Sequence, residues 1–420
     1  MQKFSIFIIS LILIFVPLYP KFPLLGVSGT FVSVRLEDFL LVFAVSFWLI
    51  RRRFSILPIH KSIILYLLVG FFAFFSGVFL TKTSALNLGF LHLLRRVEYM
   101  VGFFIAYDLF KSKVELNFLV KVILTTSFLV AIYGLGQQFL GFPVISTNNS
   151  EFSKGLALTL GPGARINSTF AGHYDLAAFS VLPLLLVLSL LSITQQSKSN
   201  KWILLAIGTL VYWSLLLSAS RITFASFFIC AGLLVLSIRK KIWLIPLIIL
   251  AIVSILVTPQ LRGRYFELIT NIHAQEVSKD VNSVPDALKP PAVPEDRSFS
   301  IRINAEWPRA LRSFYKNPIF GTGFSSTGLA TDNDFLRSLA ETGLFGLAAF
   351  LLIFIRFFKT SLKFIVRYDY TLESAFIVSV SIYLGSLLLN ALFIDVFEAS
   401  KIAIITWTIL GVTEKIKNLS

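Results

Sequence analysis

Residues 202–237 read WILLAIGTLVYWSLLLSASRITFASFFICAGLLVLS, two apolar runs joined only by Ser218, Ala219, Ser220 and Arg221. Each run approaches the length a helix needs to cross about 30 Å of hydrocarbon. With so little chain between them, the two must form a helical hairpin that turns at a membrane boundary. The fixed positive charge of Arg221 at that turn is the feature to be explained.

The same pattern recurs along the chain. Runs of roughly 16 to 22 apolar residues, about twelve in all, centre near Ile12, Ala44, Gly70, Phe104, Leu129, Leu185, Leu210, Phe228, Ile249, Leu351, Ile382 and Ile405. Of the 420 residues 56% are hydrophobic and 14% charged; a water-soluble chain carries roughly a quarter charged residues. These features predict an all-α, polytopic membrane protein of about 12 transmembrane helices with a large extracytoplasmic loop containing short amphipathic helices. The first segment, FSIFIISLILIFVPLY after Lys3, lacks a small-x-small cleavage site and reads as a membrane helix.

Short basic turns occur at every second connection and near both ends, including Arg51 to Arg53, Lys111 with Lys113, Lys198 with Lys201, Arg239 to Lys241, Arg356 to Arg367, and Lys415 with Lys417. Lysine and arginine resist translocation, so both termini are expected in the cytoplasm. The chain then divides into residues 1–257, carrying nine helices and an outer loop near 142–174; an extracytoplasmic loop, 258–342; and residues 343–420, carrying the last three helices. The formal charge of +16 is in large part topological and points to membrane lipids, not nucleic acid. A single cysteine, Cys230, excludes an intramolecular disulfide and a thiolate cluster.

The outer loops carry positive charge that the topology rule disfavours: Arg165, Arg221, Arg262, Arg264, Arg297, Arg302, Arg309, Arg312 and Arg337. Arginine's planar fork binds phosphate oxygens through two parallel hydrogen bonds and stays charged, which suggests a diphosphate ligand. The competing reading of Arg221 is a side chain that snorkels to lipid headgroups. Arg302, close to Trp307, could equally be an interfacial anchor. Arg95, Arg96 and Glu98, like Arg35, Glu37 and Asp38, read as ion pairs or boundary anchors with a site-lining role as the alternative.

In VPDALKPPAVPEDR, 284–297, prolines forbid regular helix, whereas Trp307, Leu311 and Phe314 against Arg309, Arg312 and Lys316 predict a short amphipathic helix. FGTGFSSTG, 320–328, has the wrong glycine spacing for a phosphate loop and reads as a turn. Of four histidines only His173 and His273 fall on the outer face, so no metal-binding pair at helical spacing exists; His173 is a boundary residue or a ligand. In TDNDFLRSLAETGLFG, 331–346, Thr331 or Asp332 is placed to cap a helix starting near Asn333, and Glu341 ahead of Gly343 ends it.

At these residues the sequence resembles the O-antigen ligase and O-antigen polymerase superfamily of bacterial membrane glycosyltransferases. SASR at 218–221, RINAEWPRAL at 302–311, NPIFGTGF at 317–324, TDNDFLRSLAETGLFG at 331–346 and GARINSTFAGHYDLAAF at 163–179 carry the likeness. It implies an enzyme of the bacterial cytoplasmic (inner) membrane that moves a glycan from a polyprenyl diphosphate carrier to an acceptor hydroxyl on a sugar polymer or lipid at the outer face. Arg221 and Arg302 would hold the diphosphate, with Arg165 a further candidate. Arg165, Arg309, His173 and Asn333 form the candidate substrate-binding set. Ligases commonly have a histidine where Asp332 stands, which favours a polymerase-like activity and makes the Asp332 carboxylate the candidate base.

Asp332 and Asp334 also spell an acid-x-acid pair, which elsewhere binds a divalent metal. The resemblance assigns that task to the arginines, so neither metal nor cofactor is expected. A transporter or flippase of lipid-linked oligosaccharide is the alternative from another class; such proteins more often show repeated halves with helices broken at the midplane.

Overall fold

The computed structural model describes residues 2–20, 22–27, 33–51, 57–144, 164–193, 196–259, 261–263, 301–328 and 330–419. The proline-rich stretch 284–297, Arg264, Arg297, His273 and most of both long loops lie outside the described residues. Thirteen α-helices follow along the described chain: α1 (Gln2–Leu18), α2 (Leu36–Arg51), α3 (Pro58–Phe75), α4 (Leu86–Leu109), α5 (Lys113–Phe139), α6 (His173–Ser192), α7 (Lys198–Ser218), α8 (Arg221–Ser237), α9 (Leu244–Val257), α10 (Trp307–Lys316), α11 (Asp334–Val366), α12 (Leu372–Asn390) and α13 (Ser400–Leu419).

All twelve apolar centres fall inside helices. Among the described residues six helical segments are long and apolar enough to cross a membrane, half the expected number of about twelve, and Phe4–Leu18, Arg221–Ser237 and Lys241–Val257 are shorter apolar helices. The expected amphipathic helix is α10. One element departs from all-α: β1 (Pro23–Gly26) pairs antiparallel with β2 (Ser33–Arg35). Prolines 17, 20 and 23 crowd the end of α1 and break the helical ladder, leaving a short hairpin as the connection to α2.

Helix packing rests on a buried apolar core in which Phe103, Phe376, Tyr383 and Trp407 are fully enclosed. Many hydroxyl side chains in that core bond to the preceding helical turn or across to a neighbouring helix. Ser180, Ser381, Thr408 and Thr413 each donate to the carbonyl four residues earlier. Between helices, Ser189 Oγ lies 2.7 Å from Ser379 Oγ, joining α6 to α12, and Ser226 Oγ lies 2.9 Å from Ser386 Oγ, joining α8 to α12. Small polar residues let helices approach closely and bond where hydrophobic contrast is weak.

Helix α11 is interrupted at Gly343, where φ is +68° and ψ −169°. The short helix ahead of it ends near Glu341 as its glycine predicted. That break receives the turn at 317–324: Thr322 N donates to Ala340 O, Gly323 N to Glu341 O and Leu344 N to Pro318 O, at 2.9–3.0 Å. From the other side Ser76 Oγ donates to Gly321 O and Thr83 Oγ1 to Thr322 O, both at 2.7 Å. The glycine turn is therefore a packing wedge between α3 and α11, consistent with its rejection as a nucleotide loop.

A Cβ at position 343 would lie 2.2 Å from Ile319 O and 2.7 Å from Gly321 N, both backbone atoms. Gly343→Ala combines that clash with a left-handed φ and should cost about 3 kcal/mol or more. The expected outcome is a lower melting temperature and less monodisperse protein in detergent than wild type.

Candidate active site

The site is organised by the connection between α12 and α13, residues 391–399, a stretch with no distinctive sequence motif. Asn390, fully buried at the end of α12, accepts from Thr223 Oγ1 at 2.6 Å and donates to Ser226 Oγ at 2.9 Å, so it grips the first turn of α8. Immediately beyond it, Ala391 O accepts from Asp334 N at 2.9 Å and Leu392 O from Asn333 Nδ2 at 3.0 Å. Three residues later, the Asp395 carboxylate accepts from the backbone amides of Thr331, Asp332 and Asn333 at 2.9, 3.1 and 3.0 Å. Phe397 N then donates to Asp334 Oδ2 at 3.0 Å. One short connection thus ties the Arg221 end of α8 to the start of α11.

The helix cap differs from expectation. Asn333, not Thr331 or Asp332, caps α11, its Oδ1 accepting from Leu336 N at 2.9 Å. Asp332 is left in the left-handed region with φ +50°, and its carboxylate turns to Arg302. Both Nε and Nη2 of Arg302 lie 3.1 Å from Asp332 Oδ2. Arg302 begins a π-turn, residues 302–306, that leads into α10. Its side chain is 4% exposed against 23% for Asp332, so the carboxylate stands at the mouth with the guanidinium behind it. Arg309, two residues after Trp307 in α10, donates through Nη2 to Ala330 O at 2.8 Å. Trp307 packs its ring against Phe393, with centroids 6.5 Å apart, and so docks α10 on the 391–399 connection.

Arg165 and His173 form a second pair. Arg165 Nη1 and His173 Nε2 are 2.8 Å apart, and the neighbouring Ile166 N donates to Leu217 O at 3.3 Å. This seats the pair against the last turn of α7, four residues before Arg221. Ala219 makes the tight α7–α8 turn at φ +48°. The loop itself is pinned elsewhere: Lys401 Nζ donates to Thr169 O at 2.7 Å and Ser168 N to Gln137 Oε1 at 2.8 Å. Arg302 and Asp332 thus meet beside Asn333 and Arg309, Arg165 meets His173, and Asn390 with Leu392 links the first turn of α8, which Arg221 begins, to Asn333.

Asp332 and Asp334 do not act as a pair, because one faces Arg302 and the other the Phe397 amide. Among the described residues no three His, Cys, Asp or Glu side chains are placed to hold a metal ion.

Beneath the site lies a buried charge cluster. Glu398 pairs with Arg96 and, at 3.6 Å, with Arg337; Arg337 also lies 3.5 Å from Asp395. Glu341 accepts from Ser325 N at 3.1 Å and Thr327 Oγ1 at 2.9 Å, with Arg96 3.9 Å away. The cavity among Arg96, Asp334, Glu341 and Glu398 holds about 10 Å³, room for roughly one water, and neither Arg302 nor Arg221 lines it. The expected ion pairing of Arg96 is present, but with distant residues and not with Glu98. Arg35 pairs with Glu37 at 3.6 Å, and Ser400 Oγ donates to Glu37 at 3.2 Å. Asp395 and Glu398 were the missed residues; the available signal was two carboxylates three apart in a short connection between otherwise clean apolar runs.

Removing Glu398 would leave the buried Arg96 with Glu341 at 3.9 Å and the buried Arg337 with Asp395 at 3.5 Å, one carboxylate fewer for the charge enclosed there. Glu398→Ala should therefore destabilise by about 3–5 kcal/mol, measured as a fall in melting temperature in detergent, and Glu398→Gln by less.

No curated protein matches the chain. Residues 203–351, spanning α7 to α9, α10 and the first part of α11 with Arg221, Arg302, Arg309, Asp332 and Asn333, match the family model described as O-antigen ligase. The helical membrane architecture and this matched stretch agree with a glycosyltransferase-type enzyme that moves glycan within the membrane. Over this stretch, about a third of its length, the chain is similar to the O-antigen ligase family.

Proposed function

We propose that the protein transfers a glycan from a polyprenyl diphosphate carrier to an acceptor hydroxyl of a sugar polymer or lipid, at the outer face of the bacterial cytoplasmic membrane. About twelve crossings with both termini in the cytoplasm would put the Arg302–Asp332 group on that face. The observation that carries the reading is the contact itself: a partly exposed carboxylate held 3.1 Å from a buried guanidinium, on a backbone fixed from below.

The chemistry follows from what each group can exchange. The acceptor oxygen attacks the anomeric carbon, its O–H proton passes to the Asp332 carboxylate, and the bond from that carbon to the diphosphate oxygen breaks with its electron pair on the diphosphate. A carboxylate within hydrogen-bond reach contributes typically 10²–10⁴-fold as a general base. Charge grows on the leaving diphosphate, so guanidinium groups already in place stabilise the transition state without reorganisation. In the resting site Arg302 is occupied by Asp332. An arriving diphosphate competes for Arg302, and each new bond it makes there loosens the hold on Asp332, readying the carboxylate to accept a proton. Arg221 at the start of α8 is the second diphosphate ligand in this scheme, and Arg165, His173, Arg309 and Asn333 bind the rest of the substrate.

A transfer assay with lipid-linked oligosaccharide and a set of acceptors tests the scheme. Asp332→Asn keeps the shape and should lower the rate about 10²-fold or more; Arg302→Ala and Arg221→Ala should each cost about 10²–10³-fold, with membrane insertion intact. A wild-type rate in Asp332→Asn would remove its role as base, and normal transfer in Arg221→Ala would take that residue out of the site.

A further inference from the structure

The backbone at residues 331–333 shows how the candidate base is aimed. Three consecutive amides converge on one carboxylate: Asp395 Oδ2 accepts from Thr331 N and Asp332 N, and Oδ1 from Asn333 N. Successive amides bent around a left-handed residue make a concave anion-binding nest. Here the central residue, Asp332, is the left-handed one, at φ +50°. For a residue other than glycine that conformation costs roughly 1–2 kcal/mol and persists only where surrounding bonds over-determine it. The bonds that do so come from Asp395.

The aim of the Asp332 side chain depends on this conformation. With φ positive, the carboxylate projects to Arg302 while Asn333, in extended geometry at φ −167°, caps α11 and donates to Leu392 O. Relaxation of Asp332 to a right-handed or extended φ would swing its carboxylate away from Arg302. Arg337, 3.5 Å from Asp395 Oδ2, braces the Asp395 carboxylate, and Arg337 is itself shared with Glu398. The bonds of Asp395 at this turn go to the three backbone amides, so it acts on Asp332 through the backbone.

We infer that Asp395 is a positioning residue: as the resident anion of the 331–333 nest, it holds Asp332 in the strained backbone that aims its carboxylate at Arg302. This inference rests on the role proposed for Asp332. A nest built for an anion should accept another small carboxylate when Asp395 is cut back, which a merely structural contact would not do.

The test compares full-length wild type, Asp395→Ala, Asp395→Asn and Asp332→Asn in the transfer assay, with sodium formate or with sodium chloride at equal ionic strength. A misplacement of about 1 Å costs on the order of 10²-fold in rate. Asp395→Ala should therefore lose about that factor in kcat with donor KM little changed. Formate, but not chloride, should restore a large part of it. Asp395→Asn, which keeps the volume, should also be slow, because its amide nitrogen must face one of the three amide donors; it carries the test should the alanine variant fail to fold. A wild-type rate in either Asp395 variant overturns the inference, as does a loss in well-folded Asp395→Ala that formate leaves unchanged. Inactive Asp332→Asn beside fully active Asp395→Ala would overturn the positioning role alone, whereas fully active Asp332→Asn would remove the reading beneath it.

Discussion

Guanidinium groups and backbone amides that leave water must find acceptors, and in this protein a single nine-residue connection supplies many of them. Between α12 and α13, the Asp395 carboxylate takes three amides from the start of α11, Glu398 takes Arg96 and Arg337, and the carbonyls of Ala391 and Leu392 take Asp334 N and Asn333 Nδ2. An uncompensated buried charge costs far more than a satisfied pair contributes. The cluster is therefore best understood as a constraint: each arginine can occupy only the place where its carboxylate stands, and the start of α11 follows.

That constraint gives the candidate site two kinds of charge. Arg96 and Arg337 are enclosed and shared among carboxylates, so they fix shape. Arg302 is also buried, but its partner Asp332 reaches the surface. An anion from outside meets the first pair as closed and the second as open to exchange. Catalysis by pre-organised charge needs both classes: rigid ones to hold the frame and exchangeable ones to meet the leaving group.

Around this frame the helices are joined by hydroxyls and small residues as well as by apolar packing. Thr223, Ser226, Ser386 and Asn390 link α8 to α12 in a continuous set of bonds at 2.6–2.9 Å, and that seam carries Arg221 at its upper end. In a medium with no water to satisfy them, such groups bond to each other or to the preceding turn, which specifies how the helices face. The turn at 317–324, wedged at the Gly343 break, does the same for α11 from the opposite side.

The sequence by itself determined the apolar helices, the hairpin turn at Arg221, the amphipathic α10 and the break at Gly343, because each depends on local periodicity, length or a residue's own conformational range. It also brought Arg302, Asp332, Asn333, Arg221, Arg165 and His173 into view as unusual residues. It could not say that Asp332 faces Arg302 while Asn333 caps the helix, since both side chains are capable of capping and only a partner 30 residues away decides between them. Asp395 and Glu398 escaped notice for the same reason: a carboxylate in a short connection has no local signature of the amides and arginines it will meet, which lie 58 to more than 300 positions away in sequence. Tertiary structure alone selected those partners, because the cost of burying a charge is settled by whatever the fold places beside it.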